Sequence, residues 1–347
     1  MDALENTNLS ALEELPPPRA LKRELAASRA AVQTVLTGRA AVRDALHGRD
    51  SRLVAIVGPC SLHDPDAALE YARRLREVAE SVRGDLIVLM RAYFEKPRTT
   101  IGWKGLVNDP NLDGSCDAPR GLALARELLL EVSALGLPCA TEFLDPITPQ
   151  YLADLVAWAA IGARTAESQT HREMASGLSM PVGIKNGTDG SVQVAVDAVT
   201  TARHPHVFLG VNALGRAAVV RTTGNPDAHV VLRGGRSGPN WSAAAIADAA
   251  QRIAPPGLAR GVIVDCSHEN SNKLPAQQVE VARALAALGP AGAPALLGVM
   301  LESFLRAGRQ DWKPGGTHER GLSITDACIG FAETEELLGE LARAWRR

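Results

Sequence analysis

No stretch of this 347-residue chain is apolar for the roughly 18 residues that a membrane span requires. No long basic run appears either. With a net charge of −2, nucleic acid is excluded as an expected partner. The opening Met1–Ser10 is polar and acidic and lacks the charged-then-apolar layout of a secretory leader. Five cysteines (Cys60, Cys116, Cys139, Cys266 and Cys328) are odd in number and scattered, which excludes a disulfide framework. Reduced thiols in a cytoplasmic protein are the expectation, with one thiol available to a metal. Neither Gly-x-Gly-x-x-Gly nor the P-loop pattern occurs, and Arg233-Gly234-Gly235 fits neither. Lysine is scarce: of 37 basic residues only six are lysines, namely Lys22, Lys96, Lys104, Lys185, Lys273 and Lys313. In so arginine-rich a background, a retained lysine points to a place where a compact ammonium is needed, although chance composition explains it as well.

What the chain does have is a series of short apolar runs, each closed by a charge that a packed core would not choose. Leu86–Met90 ends at Arg91, Cys139–Thr141 at Glu142, Ile161–Ala163 at Arg164, Val182–Ile184 at Lys185, and Val230–Leu232 at Arg233. Gly261–Val264 ends at Asp265, with Cys266, Ser267 and His268 behind it; Leu53–Val57 leads into Gly58-Pro59-Cys60, and Leu296–Leu301 into Glu302. Runs of this length without alternation read as strands buried on both faces. Amphipathic helical stretches lie between them: 66–83, 121–135, 149–158, 171–177, 191–202, 242–253 and 275–287. Strand and helix alternating at this spacing predict βαβ units, and chemistry confined to the C-terminal strand ends predicts a (β/α)8 TIM barrel.

Residues 1–50 read as a separate helical arm, with helices over 9–14 and 20–47 broken by Pro16-Pro17-Pro18, and residues 51–347 as the barrel. One strand is surplus. Val207–Val211 carries no terminal charge and is followed closely by Ala217–Arg221, so the pair reads as an inserted hairpin over 207–221. Ser303–Leu322 is a long loop on the catalytic face, and Leu337–Trp345 a closing helix.

The charges define candidate chemistry. Glu95-Lys96-Pro97-Arg98-Thr99-Thr100 sets a lysine, an arginine and two hydroxyls around a rigid proline, as a phosphate monoester needs; a solvated basic turn is the other reading. Arg164, Lys185 and Arg233 end three strands and would be expensive together in one barrel mouth without an anion, although salt bridges could explain any one of them. Cys60, His268, Glu302 and Asp326 are candidates for a divalent transition metal, and a buried cysteine, a core histidine and a helix-capping aspartate are the plainer alternatives.

With these residues placed, the chain resembles the type I, feedback-regulated class of 3-deoxy-D-arabino-heptulosonate 7-phosphate (DAHP) synthases. The resemblance runs from about Leu9 to the C-terminus. It is carried by Gly58-Pro59-Cys60-Ser61-Leu62-His63-Asp64, Tyr93-Phe94-Glu95-Lys96-Pro97-Arg98-Thr99-Thr100, Gly102-Trp103-Lys104-Gly105 and Ile161-Gly162-Ala163-Arg164. Further matches are Gly183-Ile184-Lys185-Asn186-Gly187-Thr188-Asp189-Gly190, Leu232-Arg233-Gly234-Gly235 and Ser323-Ile324-Thr325-Asp326-Ala327-Cys328.

The resemblance implies condensation of phosphoenolpyruvate (PEP) with erythrose 4-phosphate, the first step of the shikimate pathway. By matching motif, Cys60, His268, Glu302 and Asp326 would hold one divalent ion (Mn, Fe, Co or Zn). Arg91, Lys96, Glu142, Arg164, Lys185 and Arg233 would bind PEP, and Lys96, Pro97, Arg98, Thr99 and Asp326 would meet the sugar phosphate. Catalytic roles would fall on Lys96, Lys185, His268 and Asp326. It also implies a homodimer or homotetramer inhibited by an aromatic amino acid, in a pocket walled by Asp145, Pro149, Gln150, Met174, Leu178, Ser179, Phe208, Gly210 and Val220. Gly210 leaves room for a ring hydroxyl and so favours tyrosine, unless it is only a bulge glycine. The alternatives are a sister enzyme using arabinose 5-phosphate and a non-catalytic metabolite-binding barrel.

Overall fold

Alternate residues along each apolar run face opposite sides of a closed wall, which is why the runs do not alternate in polarity. In a computed structural model, which describes residues 4–98, 100–253 and 261–346, eight parallel strands close in the order β1-β10-β9-β8-β5-β4-β3-β2. The elements are α1 (Pro18–Glu24), α2 (Arg29–Leu46), β1 (Leu53–Gly58), α3 (Pro65–Ser81), β2 (Leu86–Arg91), α4 (Ala118–Ala134), β3 (Cys139–Glu142) and α5 (Pro149–Leu152). There follow β4 (Trp158–Ile161), α6 (Gln169–Gly177), β5 (Val182–Lys185), α7 (Val192–Ala202), β6 (Val207–Val211), β7 (Ala217–Arg221) and β8 (Ala228–Leu232). The chain ends with α8 (Ala243–Ile253), β9 (Val262–Asp265), α9 (Pro275–Gly292), β10 (Leu296–Glu302) and α10 (Phe331–Trp345).

Two cores result. Leu53, Ala55 and Val57 of β1 face outward onto the helices, as do Leu86, Val88 and Met90 of β2. Val54, Ile56, Ile87, Leu89, Ala140, Trp158, Ala160, Val231, Ile263 and Met300 fill the interior, and Val42, Ala45 and Leu46 of α2 join them from below. The helix α2 therefore seals the floor of the barrel. Gly38 permits the approach, since a Cβ there would stand 2.6 Å from the Pro138 ring. Polar contacts fix the seal: Arg39 donates to the carbonyls of Val156 (2.9 Å) and Ala153 (2.6 Å), and Asp227 takes Arg43 at 2.7 Å and His47 at 2.9 Å.

The expected barrel and hairpin are both present. Ribbon β6–β7 is antiparallel and continuously paired from Val207–Arg221 to Val211–Ala217, so Gly210 is not a bulge residue. Three expectations fail. Residues 9–14 form no helix. The arm's single stretch 20–47 is two helices, parted at Leu25–Ser28, where Ser28 caps α2 through the Ala31 amide. The fourth strand is Trp158–Ile161, so Arg164 lies in the loop beyond it, and the segment before it is one helical turn followed by a 3-10 turn, Ala153–Leu155. Trp158 belongs to the wall because its indole N–H donates to His229 Nε2 at 3.0 Å in the dry interior.

That bond fixes the imidazole tautomer, with His229 Nδ1–H donating to the Asp227 carbonyl at 2.9 Å. Burial lowers the His229 pKa to about 4, so the ring is neutral at physiological pH. Trp158→Phe should destabilise the fold by about 1–3 kcal/mol, the cost of an orphaned buried acceptor, measurable by urea denaturation. A change near zero would show that the contact carries no net stability.

Candidate active site

The same period of two that packs the barrel interior selects what stands at its mouth. Counting on from the inward residues Leu89, Ala140, Gly183, Val231, Ile263 and Met300, the next inward positions are Arg91, Glu142, Lys185, Arg233, Asp265 and Glu302. On β1 and β4 the corresponding positions are Gly58 and Gly162, so six strands contribute charge and two contribute space. The space is used: a Cβ on Gly162 would lie 2.9 Å from Glu142 Oε1.

The charges touch in sequence. Lys185 Nζ stands 3.3 Å from Glu142 Oε2 and 3.4 Å from Asp265 Oδ2. Asp265 Oδ2 meets His268 Nδ1 at 2.9 Å, and His268 Nε2 lies 3.8 Å from Glu302 Oε1. Glu302 Oε1 is in turn 3.0 Å from Arg91 Nη2. Arg91 stacks on Tyr93, its guanidinium carbon 3.6 Å from the ring centroid, and donates to the carbonyls of Pro59 and Cys60.

Burial alone would neutralise such groups, but their partners outweigh it. Desolvation acts to lower the Lys185 pKa, yet Tyr93, Glu142 and Asp265 hold it above the usual ammonium value. Desolvation raises Glu142, and Lys185, Lys96 and Arg91 bring it below the ordinary carboxylate value. Asp265 is held far down by His268 and Lys185 against the same desolvation.

At one side of the mouth, donor atoms of Cys60, Glu302 and Asp326 lie within 4.8 Å of one another. His268 stands outside that mutual cluster and reaches it through Glu302. Its geometry suits a ligand: a proton on Nδ1 serves Asp265 and Ser267 Oγ (2.8 Å), which leaves the Nε2 lone pair facing the cluster. Glu302 Oε1 is buried and has no well-formed hydrogen bond among the described residues. A thiol, an imidazole and two carboxylates fit a divalent transition ion. Lys96 Nζ lies 3.1 Å from Cys60 Sγ, and Cys328 Sγ takes the Cys60 amide at 3.4 Å. Burial, with Glu302 and Asp326 adding to it, raises the Cys60 pKa, while Lys96 and Arg91 work the other way.

The mouth opens into one cavity of about 530 Å³, with Cys60, Asp265 and Glu302 buried outside its lining. Arg91, Lys96, Pro97, Arg98, Glu142, Arg164, Lys185, Arg233, His268 and Asp326 line it, so the strand-end and loop residues singled out in the sequence converge. Thr99 lies outside the described residues. Arg98 is anchored by its Nε on the Trp103 carbonyl at 2.7 Å, within a loop pinned by the Lys96–Lys104 backbone bond, and Arg233 pairs with Glu269. The wall expected for an effector is elsewhere: Phe208, Gly210 and Val220 share one half-buried face of the ribbon, beside α6 with Met174. Sequence reasoning missed Tyr93, Arg236, Glu269 and Lys273, which also line the cavity. Tyr93 lay inside a quoted motif, but the other three follow strand ends by several residues, where only the fold shows direction.

Residues 27–339 match the profile of the DAHP synthetase I family. The chain belongs to that family. It is 50% identical over 341 residues to a Tyr-sensitive phospho-2-dehydro-3-deoxyheptonate aldolase of Escherichia coli, covering 98% of this chain and 96% of the relative. A Phe-sensitive enzyme of that name from the same organism is 49% identical over 340 residues, covering 98% and 97%. The structure of the Francisella tularensis phospho-2-dehydro-3-deoxyheptonate aldolase superposes with a TM-score of 0.94 at 47% identity, covering 98% of this chain and 99% of the other.

Asp265 touches both His268 and Lys185, so its removal should be felt at the metal cluster without removing a donor from it. Asp265→Asn should weaken divalent-metal affinity about 10–100-fold in a calorimetric titration. Cys60→Ala should abolish binding with the far-ultraviolet spectrum unchanged. Parental metal affinity in both variants would refute the cluster.

Proposed function

We propose that this chain catalyses the condensation of PEP with D-erythrose 4-phosphate and water to DAHP and inorganic phosphate, opening aromatic amino acid biosynthesis. The observation that carries the reading is the convergence of Arg91, Lys96, Arg98, Arg164, Lys185 and Arg233 in one cavity whose wall includes His268 and Asp326, with Cys60 and Glu302 clustered beside Asp326. Two phosphoryl groups and a carboxylate are the anions such a site requires.

Arg91, Lys96, Arg164, Lys185 and Arg233 bind PEP, and Glu142 keeps Lys185 charged and in place beside it. Lys96, Pro97, Arg98 and Asp326 meet erythrose 4-phosphate, whose phosphoryl group lies on Arg98. The Arg98 anchor on Trp103 spends its Nε and leaves the two terminal nitrogens for that group. Cys60, His268, Glu302 and Asp326 hold a divalent Mn, Fe, Co or Zn ion. When bound there, the ion supplies Lewis acidity to the sugar aldehyde. Lys185, its pKa raised between two carboxylates, acts as a fixed positive charge against PEP. Lys96 Nζ, 3.1 Å from the thiol sulfur, holds a proton beside the place where the aldehyde oxygen arrives. Both lysines fix the PEP methylene carbon against the aldehyde, so orientation contributes to the rate.

The same reading places the enzyme in the cytoplasm, where its five free cysteines stay reduced. No helix among the described residues is long and apolar enough to cross a membrane. It also makes the protein a homodimer or homotetramer: Val207, Leu209 and Val219 leave the outer face of the ribbon apolar and exposed, as are Leu9 and Leu12 of the arm. An aromatic amino acid, tyrosine by preference, binds the inner face of the ribbon against Met174 and Leu178, with Asp145, Pro149, Gln150 and Ser179 completing the wall.

Three measurements test this. Arg98→Ala removes a charge-assisted contact worth about 1.5–3 kcal/mol, so the apparent KM for erythrose 4-phosphate should rise steeply and that for PEP much less. Equal activity with arabinose 5-phosphate in the parent would reject the sugar assignment. Phosphate release titrated separately with phenylalanine, tyrosine and tryptophan should show tyrosine as the strongest inhibitor. Stronger inhibition by either other amino acid overturns the Gly210 argument, and no inhibition by any overturns the effector site.

A further inference from the structure

Between β9 and α9 the chain makes a short helical turn, His268–Ser271, and the backbone at and after it is left-handed. His268 sits at φ +54°, Asn272 at +50° and Lys273 at +60°, and none is glycine. Three such residues within six are held only because the turn is fastened to the barrel. The Asn270 amide donates to the carbonyls of Leu232 (3.1 Å) and Asp265 (2.8 Å), its N–H to Arg233 (3.2 Å), and the Lys273 N–H to the His268 carbonyl (2.7 Å). Unfavourable backbone kept in place by surrounding bonds is a mark of functional segments. The fastening delivers His268 and Lys273 to the cavity, with Glu269 between them. Packing does not explain Lys273, which, like Asn272 and Leu274, is exposed.

Lys273 is also one of only six lysines in the chain. Among the described residues no carboxylate pairs with it, and it lines the same cavity as Asp326 and Arg98. We propose that Lys273 is a substrate-contacting residue of the sugar half of the site, its ammonium meeting the sugar phosphate beside Asp326 as a second cation in addition to Arg98. Asp326 alone would repel an incoming dianion. An exposed ammonium at the rim offsets that repulsion and draws the anion in from solvent. The inference rests on the placement of erythrose 4-phosphate at the Asp326 end of the cavity.

Lys273→Gly is the informative variant, since glycine accepts φ +60° and the fold is not penalised. The apparent KM for erythrose 4-phosphate should rise about ten-fold, equivalent to about 1.4 kcal/mol, and its dependence on ionic strength should flatten. The KM for PEP, the bound metal and the melting temperature should stay at the parent's values, and Lys273→Arg should recover most of the loss. A parental sugar KM and salt dependence in Lys273→Gly, alongside a damaged Arg98→Ala, overturns this inference alone. Arg98→Ala that damages only PEP binding overturns the sugar placement and this inference with it. Loss of metal together with weakened binding of both substrates would make Lys273 a support for His268 and also overturn it.

Discussion

Glu142, Lys185, Asp265, His268, Glu302 and Arg91 touch in that order at the mouth of the barrel, and each makes its neighbour's burial possible. A charge taken from water into such a place is stable only beside its opposite, and removing one partner of a buried pair typically costs about 3–5 kcal/mol. The sequence of contacts crosses from β3 through β5, β9 and β10 to β2, so it exists only when the wall is closed. Fold and site are in this sense one requirement. Open the sheet between any two of these strands and the charges lose their partners together.

Closure also explains the two glycines at the mouth. Six inward positions carry charge, and the seventh and eighth, Gly58 and Gly162, carry none because the space belongs to neighbours. At Gly58 a Cβ would come within 2.5 Å of the Arg91 carbonyl, and at Gly162 it would press on Glu142. Below this layer the interior turns apolar, and a buried polar pair, Trp158 with His229, links the wall to Asp227 and so to the arm helix. The upper layer does chemistry and the lower layer holds it level.

Most of this was legible in the chain. A buried strand ending in a charge is a strong signal, because hydrophobic periodicity and an unaffordable charge point to the same residue, as at Arg91, Glu142, Lys185 and Asp265. The signal misled once, at β4. Arg164 drew the expected strand three residues too far along, since the true inward position there is Gly162, which bears no side chain to read. The apolar stretch before it looked helical because Trp158 and its neighbours carry no period-two pattern when both faces are buried. Lys273 was singled out only as a scarce lysine. Its direction depends on left-handed backbone at Asn272 and Lys273, which nothing in their side chains announces.

The floor seal has a consequence for how the chain reaches this state during synthesis. The helix α2 and strand β1 emerge early, but Val54 pairs with Gly298, some 244 residues later (298 − 54). At about 5–20 residues per second, a ribosome takes on the order of tens of seconds to supply that partner. Throughout that interval β1 has one edge without its final neighbour, while Val42, Ala45 and Leu46 already offer its inner face an apolar surface made from the chain's own earlier residues. The arm is thus the first piece of interior that the nascent wall can fold against.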